Sequence, residues 1–324
     1  MANPSKEHYF FSDQKYICFL TSCQNAIRLT GVPEYSSRYS RRDFTQHQLL
    51  TLLLFKEYLG AHYRDFVQLV EIMGIIQEQL QLNEIPHYST LCKFSKRVPS
   101  TVLNQLFRKA CSFMLEWKNI PSVVAIDSSG FTPDSSSTYY SVRTGKTRHD
   151  YLKTTISVDS DHISLLAFHV TKSRRHDAQI APIVLRASHR VKKSKFYVMD
   201  KGYDSELIHN LIHEDLKAQS MIPIRDWHAS YLSGKYRQIM ATSFNTKTYG
   251  RRNMAETVFS ILKRLFGETI YSRSYRQQVK EIKLKCIIFP SIVSLKISGY
   301  SMCYEDFNRA ETRRISQQSK DCRI

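Results

Sequence analysis

From about Pro121 the apolar residues of this chain stop recurring at helical spacing and collect into short runs: "VVAID", "TTISVD", "ISLLAFHV", "KFYVMD" and "SMIPI". Runs of roughly four to eight apolar and β-branched residues, bounded by polar turn residues, have the pattern of buried strands. The first three follow one another directly, whereas helical stretches, "DAQIAPIVLRA" and "DSELIHNLIHEDL", stand between the later ones. Consecutive strands pair as antiparallel hairpins, and strand-helix alternation builds parallel crossovers. The expectation is an α/β layer fold with a mixed sheet flanked by helices.

Upstream the period is helical. Residues 44–80 carry apolar residues at helical spacing and break around Gly60, which predicts two amphipathic helices. A third is predicted in "IPHYSTLCKFSKRV", with Ser89 as N-cap and Leu91, Phe94 and Val98 on one apolar face. Lys93, Lys96 and Arg97 lie off that face, which suits a helix-turn-helix-like DNA reader and equally the solvated side of a small helical bundle. The expected division is an all-helical DNA-binding region over 1–115, an α/β domain over 116–300, and a tail over 301–324 with little apolar content.

Charge narrows the partner. Lys and Arg total 47 against 29 Asp and Glu, a formal net charge of +18, and such an excess favours a polyanion through counterion release. Nucleic acid is the leading candidate. With 42% hydrophobic residues and only 10 Gly and 9 Pro, the chain is not a disordered basic tail. Its seven cysteines are scattered and odd in number, the pattern of reduced thiols in a cytosolic protein. The N-terminal stretch lacks the basic-then-apolar pattern of a signal peptide, and "CIIFPSIVSL" is too short to span a bilayer and carries Pro290. A cytoplasmic, DNA-associated protein with no membrane segment is expected.

Two of the strand-like runs end on a carboxylate, Asp127 in "VVAIDSSGF" and Asp200 in "KFYVMDKGYDS". An aspartate ending a buried strand costs free energy unless paired, so a cation such as a metal ion is one partner; the other reading is a residue capping its own turn. Asp204 competes with Asp200 for that turn role. Ligands of open α/β sheets bind beyond the C-terminal strand ends, so two aspartates there favour a shared site. A third element, Tyr249 to Gly267, places Met254, Val258, Ile261, Leu262 and Leu265 on one apolar stripe and Arg252, Glu256 and Lys263 near the opposite side, joined by Tyr249 if the helix reaches that far. That polar side is either an ordinary solvated face with an Arg252–Glu256 ion pair, or it faces the two aspartates.

The spacing of Tyr249, Arg252, Glu256 and Lys263, with intervals of two, three and six residues, resembles the signature helix of bacterial and archaeal insertion-sequence DDE transposases, which have an RNase H-like catalytic core. "AIDSSGF" and "VMDKGYDS" resemble that family's first and second aspartate motifs in the same order, and the likeness runs from about residue 40 to 300. The resemblance implies that Asp127, Asp200 and Glu256 form a catalytic, metal-binding triad for two Mg²⁺ (or Mn²⁺) ions, with Tyr249, Arg252 and Lys263 on DNA. It implies double-stranded DNA as partner, both transposon ends and target, and a homodimer acting across paired ends. Residues 201–248 leave no room for the large inserted β-domain that some relatives carry. Lys201 and Tyr203 flank the second aspartate within reach of DNA, while His149, Asp150 and Lys153 in "RHDYLKTT" read as the turn and start of the second strand. Trp117 and Trp227 read as packing residues. Two alternatives share these residues: a domesticated DNA-binding regulator that does not cut, against which the intact triad argues, and a stand-alone RNase H-like nuclease, against which the helical N-terminal region argues.

Overall fold

The computed structural model of the protein describes residues 5–115, 123–134, 143, 151–172, 175–225 and 232–297. His149, Asp150, Trp117, Trp227 and the tail over 301–324 lie outside them.

Six helices come first: α1 (Ser5–Arg28), α2 (Gln46–Leu59), α3 (Tyr63–Ile72), α4 (Gly74–Gln79), α5 (Tyr88–Arg97) and α6 (Ser100–Leu115). A reciprocal capping box between Thr45 and Gln48 starts α2, and Gly60, in the left-handed region at φ 64°, ends it. The break at Gly60 is as expected; a second break, at Met73, is not. There the Gln77 side chain donates to the carbonyls of Val70 (2.7 Å) and Glu71 (3.1 Å), satisfying the end of α3 so that the chain can restart as α4. Helix α5 starts two residues earlier than expected, with His87 in place of Ser89 at the N-cap position. Ser89 sits in its first turn with its hydroxyl 2.8 Å from His87 Nδ1, and no side chain caps the helix. Leu91, Phe94 and Val98 are buried as the period predicts, and Lys93, Lys96 and Arg97 are exposed.

All five strand-like runs are strands: β1 (Val123–Pro133), β2 (Leu152–Asp159), β3 (Ser164–Lys172), β4 (Phe196–Met199) and β5 (Gln219–Met221). They lie in the order β3-β2-β1-β4-β5. The β1–β2 and β2–β3 pairs are antiparallel, while β1–β4 and β4–β5 are parallel. This is the expected mixed sheet, and with helices on both faces it fits an RNase H-like core. The crossover from β3 to β4 is α7 (Asp177–Val191). After β4 come a 3-10 turn (Lys201–Tyr203) and α8 (Glu206–Asn210), which runs into a π turn at Leu211–Asp215. Then follow α9 (Lys235–Ser243), α10 (Thr246–Gly250), α11 (Asn253–Phe266), the short β6 (Thr269–Ile270) on the far end of β1, and α12 (Tyr275–Ile297).

Alternation along the strands separates two cores. Val124, Ile126, Tyr197 and Met199 pack under α7 and α8. Ala125, Phe131 and Ile156 face the other way and share one core with α11, α12 and the N-terminal helices, while Val123, Val198 and Met221 join Met240 and Tyr249 beside it. Two buried lysines of α12 tie these layers together: Lys280 donates to the Ser95 and Lys96 carbonyls at the end of α5, and Lys285 donates to those of Phe266 and Thr269 at the end of α11. The run "CIIFPSIVSL" lies inside α12, and no helix among the described residues is long and apolar enough to cross a membrane.

Candidate active site

Register brings the two aspartates together. The last parallel pair of β1 and β4 is Ile126 with Met199, so Asp127 and Asp200 stand side by side one residue further on, on strands about 4.8 Å apart. In-register residues of parallel strands point the same way, and here that is the face of Ala125 and Val198, on which α11 lies. Each aspartate spends one oxygen on the N–H of the residue that follows it: Asp127 Oδ1 accepts from the Ser128 N–H at 2.8 Å, and Asp200 Oδ1 from that of Lys201 at 2.7 Å. The turn-capping role holds for Asp200, at the start of the 3-10 turn, whereas Asp127 does not end its strand as the apolar run suggests: β1 continues through it to Pro133 because β2 goes on pairing as far as Phe131. β2 pairs with β1 as far as Phe131, whereas on the other side β4 stops at Met199 and β6 begins opposite Thr132. Among the described residues this edge of β1 is unpaired from Asp127 to Phe131, which leaves a gap in the sheet beside the aspartates.

The signature helix is divided, with α10 ending at Gly250, a turn at Arg251 and Arg252, and α11 beginning at Asn253. Its buried stripe is Ala255, Val258, Phe259 and Leu262, while Leu265 is 39% exposed. At about 100° per residue this stripe is turned by roughly 65° from the expected one. Glu256 and Lys263 consequently flank the packed face instead of opposing it, which puts them at the sheet's edge. Arg252 lies between two carboxylates, with Nη2 2.6 Å from Glu256 Oε1 and Nη1 3.5 Å from Asp127 Oδ2. Tyr249 packs against Phe244, ring centroids 5.2 Å apart, and carries the Arg252 guanidinium 6.0 Å from its ring centre. Lys263, two turns along α11, is not part of this group. It pairs with Glu268 at 2.9 Å and lies over the Phe131 ring at 6.0 Å, farther along β1.

Burial pushes the Asp127 carboxyl above its ordinary range; the charges of Glu256 and Asp200 push the same way, against the Ser128 N–H and Arg252. With Glu256 held on Arg252, no three His, Cys, Asp or Glu side chains among the described residues converge closely enough to hold an ion. The donors nevertheless suit a hard divalent cation in kind: carboxylate oxygens from β1, the end of β4 and α11, with Arg252 between Asp127 and Glu256.

On the opposite face, beneath Asp127, runs a partly buried polar chain. Tyr203 does not reach toward DNA: it is 2% exposed, and its hydroxyl lies 2.8 Å from Ser128 Oγ and donates to Asp177 Oδ1 at 3.3 Å. Ser128 Oγ is in turn 2.7 Å from Thr155 Oγ1, and Asp177 pairs with Lys153 at 2.7 Å. Lys153 thus sits near the start of β2, as its sequence position suggested, with Asp177 for partner. The sequence signal for Ser128, Thr155 and Asp177 is nil, since nothing in their spacing announces a contact across three elements. Asp204 is settled as a structural residue. Its side chain is wholly enclosed, bound by Arg237 at 2.8 and 2.9 Å and by the Arg225 N–H at 2.8 Å. Burial would raise its pKa, but His209, Arg237 and the Arg225 N–H outweigh that and hold it down at about 2.

Residues 118–289 match the family model described as Transposase DDE domain, a span that begins just before β1 and ends within α12.

Proposed function

Since the chain belongs to the transposase DDE domain family, a family of DNA-transposing enzymes that generally use divalent metals, we propose that it is the transposase of an insertion sequence, binding the inverted-repeat ends of its element, cutting them and joining the exposed 3′-hydroxyls to a target. The observation that carries this reading is the register of Ile126 with Met199, which sets Asp127 and Asp200 on neighbouring strands, with Glu256 linked to Asp127 through Arg252.

In this reading Asp127, Asp200 and Glu256 would hold Mg²⁺, or Mn²⁺ in its place, as two ions. Bound there, such ions supply an activated attacking oxygen and stabilise the charge on the leaving oxygen. The chain's own groups do the rest. Arg252 offers a planar two-pronged donor to a backbone phosphate, and Lys263 supplies a second fixed charge farther along β1. Tyr249, next to Arg252 at the end of α10, would stack on or donate to the terminal nucleotide. The net charge of +18 holds the DNA in place without reading its sequence. Recognition of the ends falls to the helical region over 1–115, with α5 as the candidate reader, and a homodimer would bring two ends together.

The test is a nicking assay on duplexes carrying the short inverted repeats that flank the gene. The intact chain should cut at the repeat boundary only with Mg²⁺ or Mn²⁺ present, while Asp127→Ala, Asp200→Ala and Glu256→Ala should each bind the same duplex and leave it whole. Near-normal cutting by any one variant removes that residue from the triad, and metal-independent cutting rejects the mechanism. Retained end binding without cutting by the unaltered protein would favour the non-cutting regulator.

A further inference from the structure

We propose that Tyr203 is a positioning residue that sets the spacing of the two aspartates, through a partly buried chain of hydroxyls on the far side of the sheet. The proposal rests on the metal-site reading above. The β1–β4 ladder ends at Ile126 and Met199, so beyond that point the segments carrying Asp127 and Asp200 have no ladder pairing to each other among the described residues. Tyr203 supplies the missing link. Its N–H donates to the Asp200 carbonyl at 2.9 Å, closing the turn that Asp200 begins. Its phenol reaches back to Ser128, the residue whose own N–H orients the Asp127 carboxylate.

The direction of each bond follows from proton counting. A phenol has one proton, and here it goes to the anionic Asp177, which Lys153 neutralises from its other side. The phenol oxygen must then accept from Ser128, and Ser128 from Thr155. Every donor points down one line toward Asp177. A chain satisfied at every member is rigid, and rigidity at this point fixes where Asp127 stands relative to Asp200.

Tyr203→Phe keeps the ring and removes only the link. Calorimetric titration of the full-length protein with Mn²⁺, without DNA, should show roughly tenfold weaker binding for Tyr203→Phe and for Ser128→Ala, the scale typical of lost outer-shell partners. The double variant should be no weaker than either single one, because both break the same bond. Val184→Ala, in the same core but on α7, should lower thermal stability while leaving Mn²⁺ affinity unchanged. Raised Mn²⁺ should restore cutting by Tyr203→Phe. Affinity within twofold of the unaltered protein, additive losses in the double variant, or an equal loss in Val184→Ala would overturn the proposal. Failure of the unaltered protein to bind Mn²⁺ would instead overturn the metal-site reading, and this one with it.

Discussion

Arg252 stands as counter-ion to Asp127: its guanidinium, 3.5 Å from that carboxylate, also grips Glu256 on the following turn of its own helix. A cation in the first turn of a helix is disfavoured by the helix dipole, so the carboxylates are what hold it there. The same arrangement means that a metal ion and the guanidinium compete for one group of negative charges. Arg252→Gln should therefore destabilise the metal-free protein by about 1 kcal/mol, a modest figure because Glu256 is more than half exposed. Saturating Mg²⁺ should then raise the melting temperature more in the variant than in the unaltered protein. Scanning calorimetry with and without Mg²⁺ reads both effects, and an equal Mg²⁺-induced rise would show that Arg252 and the ion do not compete.

Lys263 makes a different prediction because it lies apart, over Phe131 and paired with the exposed Glu268. If it holds a DNA phosphate, Lys263→Gln should slow single-turnover cutting more than tenfold, equivalent to about 1.4 kcal/mol of transition-state stabilisation. Mn²⁺ affinity should be untouched, in contrast with changes at Asp127 or Asp200. Wild-type cutting rates in the variant would reduce Lys263 to a surface ion pair.

How far the sequence reached is clear from particular residues. The strands were legible because each buries a short continuous apolar run, and Asp127 and Asp200 stood out as charges ending such runs. Their being neighbours depends on the Ile126–Met199 register, which no local pattern encodes. The hydrophobic period misplaces the α11 stripe because Ala255 carries little weight in it, while Leu265, near the end of the helix, is only partly covered. Helix α3 breaks at Met73 through bonds from the Gln77 side chain, and α1 buries Phe19, Leu20 and Ile27. Tyr203 beside an aspartate motif looked like a DNA contact; only the three-dimensional path of the 3-10 turn shows it facing inward.

The charge balance predicts how DNA binding responds to salt. Affinity for a duplex should fall log-linearly with salt concentration, each neutralised phosphate contributing roughly 0.9 to the slope. If the exposed Lys93, Lys96 and Arg97 on α5 lie along DNA, changing all three to Gln should flatten that slope by roughly 2 to 3. Fluorescence anisotropy over a salt series measures it. An unchanged slope would move α5 off the DNA, and a slope near zero in the unaltered protein would contradict the nucleic-acid assignment.

Asp204 and Asp200 compete for one role in the sequence, and pH separates them. Asp204 is fully enclosed with Arg237, its pKa held at about 2, against an ordinary value near 4. A carboxyl with a depressed folded-state pKa contributes stability that is present above its unfolded value and lost as pH falls through the folded one. Asp204→Asn should therefore cost on the order of 2 to 3 kcal/mol at pH 7, with the deficit shrinking between about pH 4 and pH 2. Urea denaturation across that range tests the sign as well as the size, and a deficit that does not change with pH would mean that the charge is not what Arg237 holds. Mn²⁺ affinity of folded Asp204→Asn should match the unaltered protein, because this carboxylate is spent on Arg237 and the Arg225 N–H. Loss of Mn²⁺ binding in Asp204→Asn but not in Asp200→Asn would exchange the two roles and take the register of Ile126 with Met199 out of the functional argument.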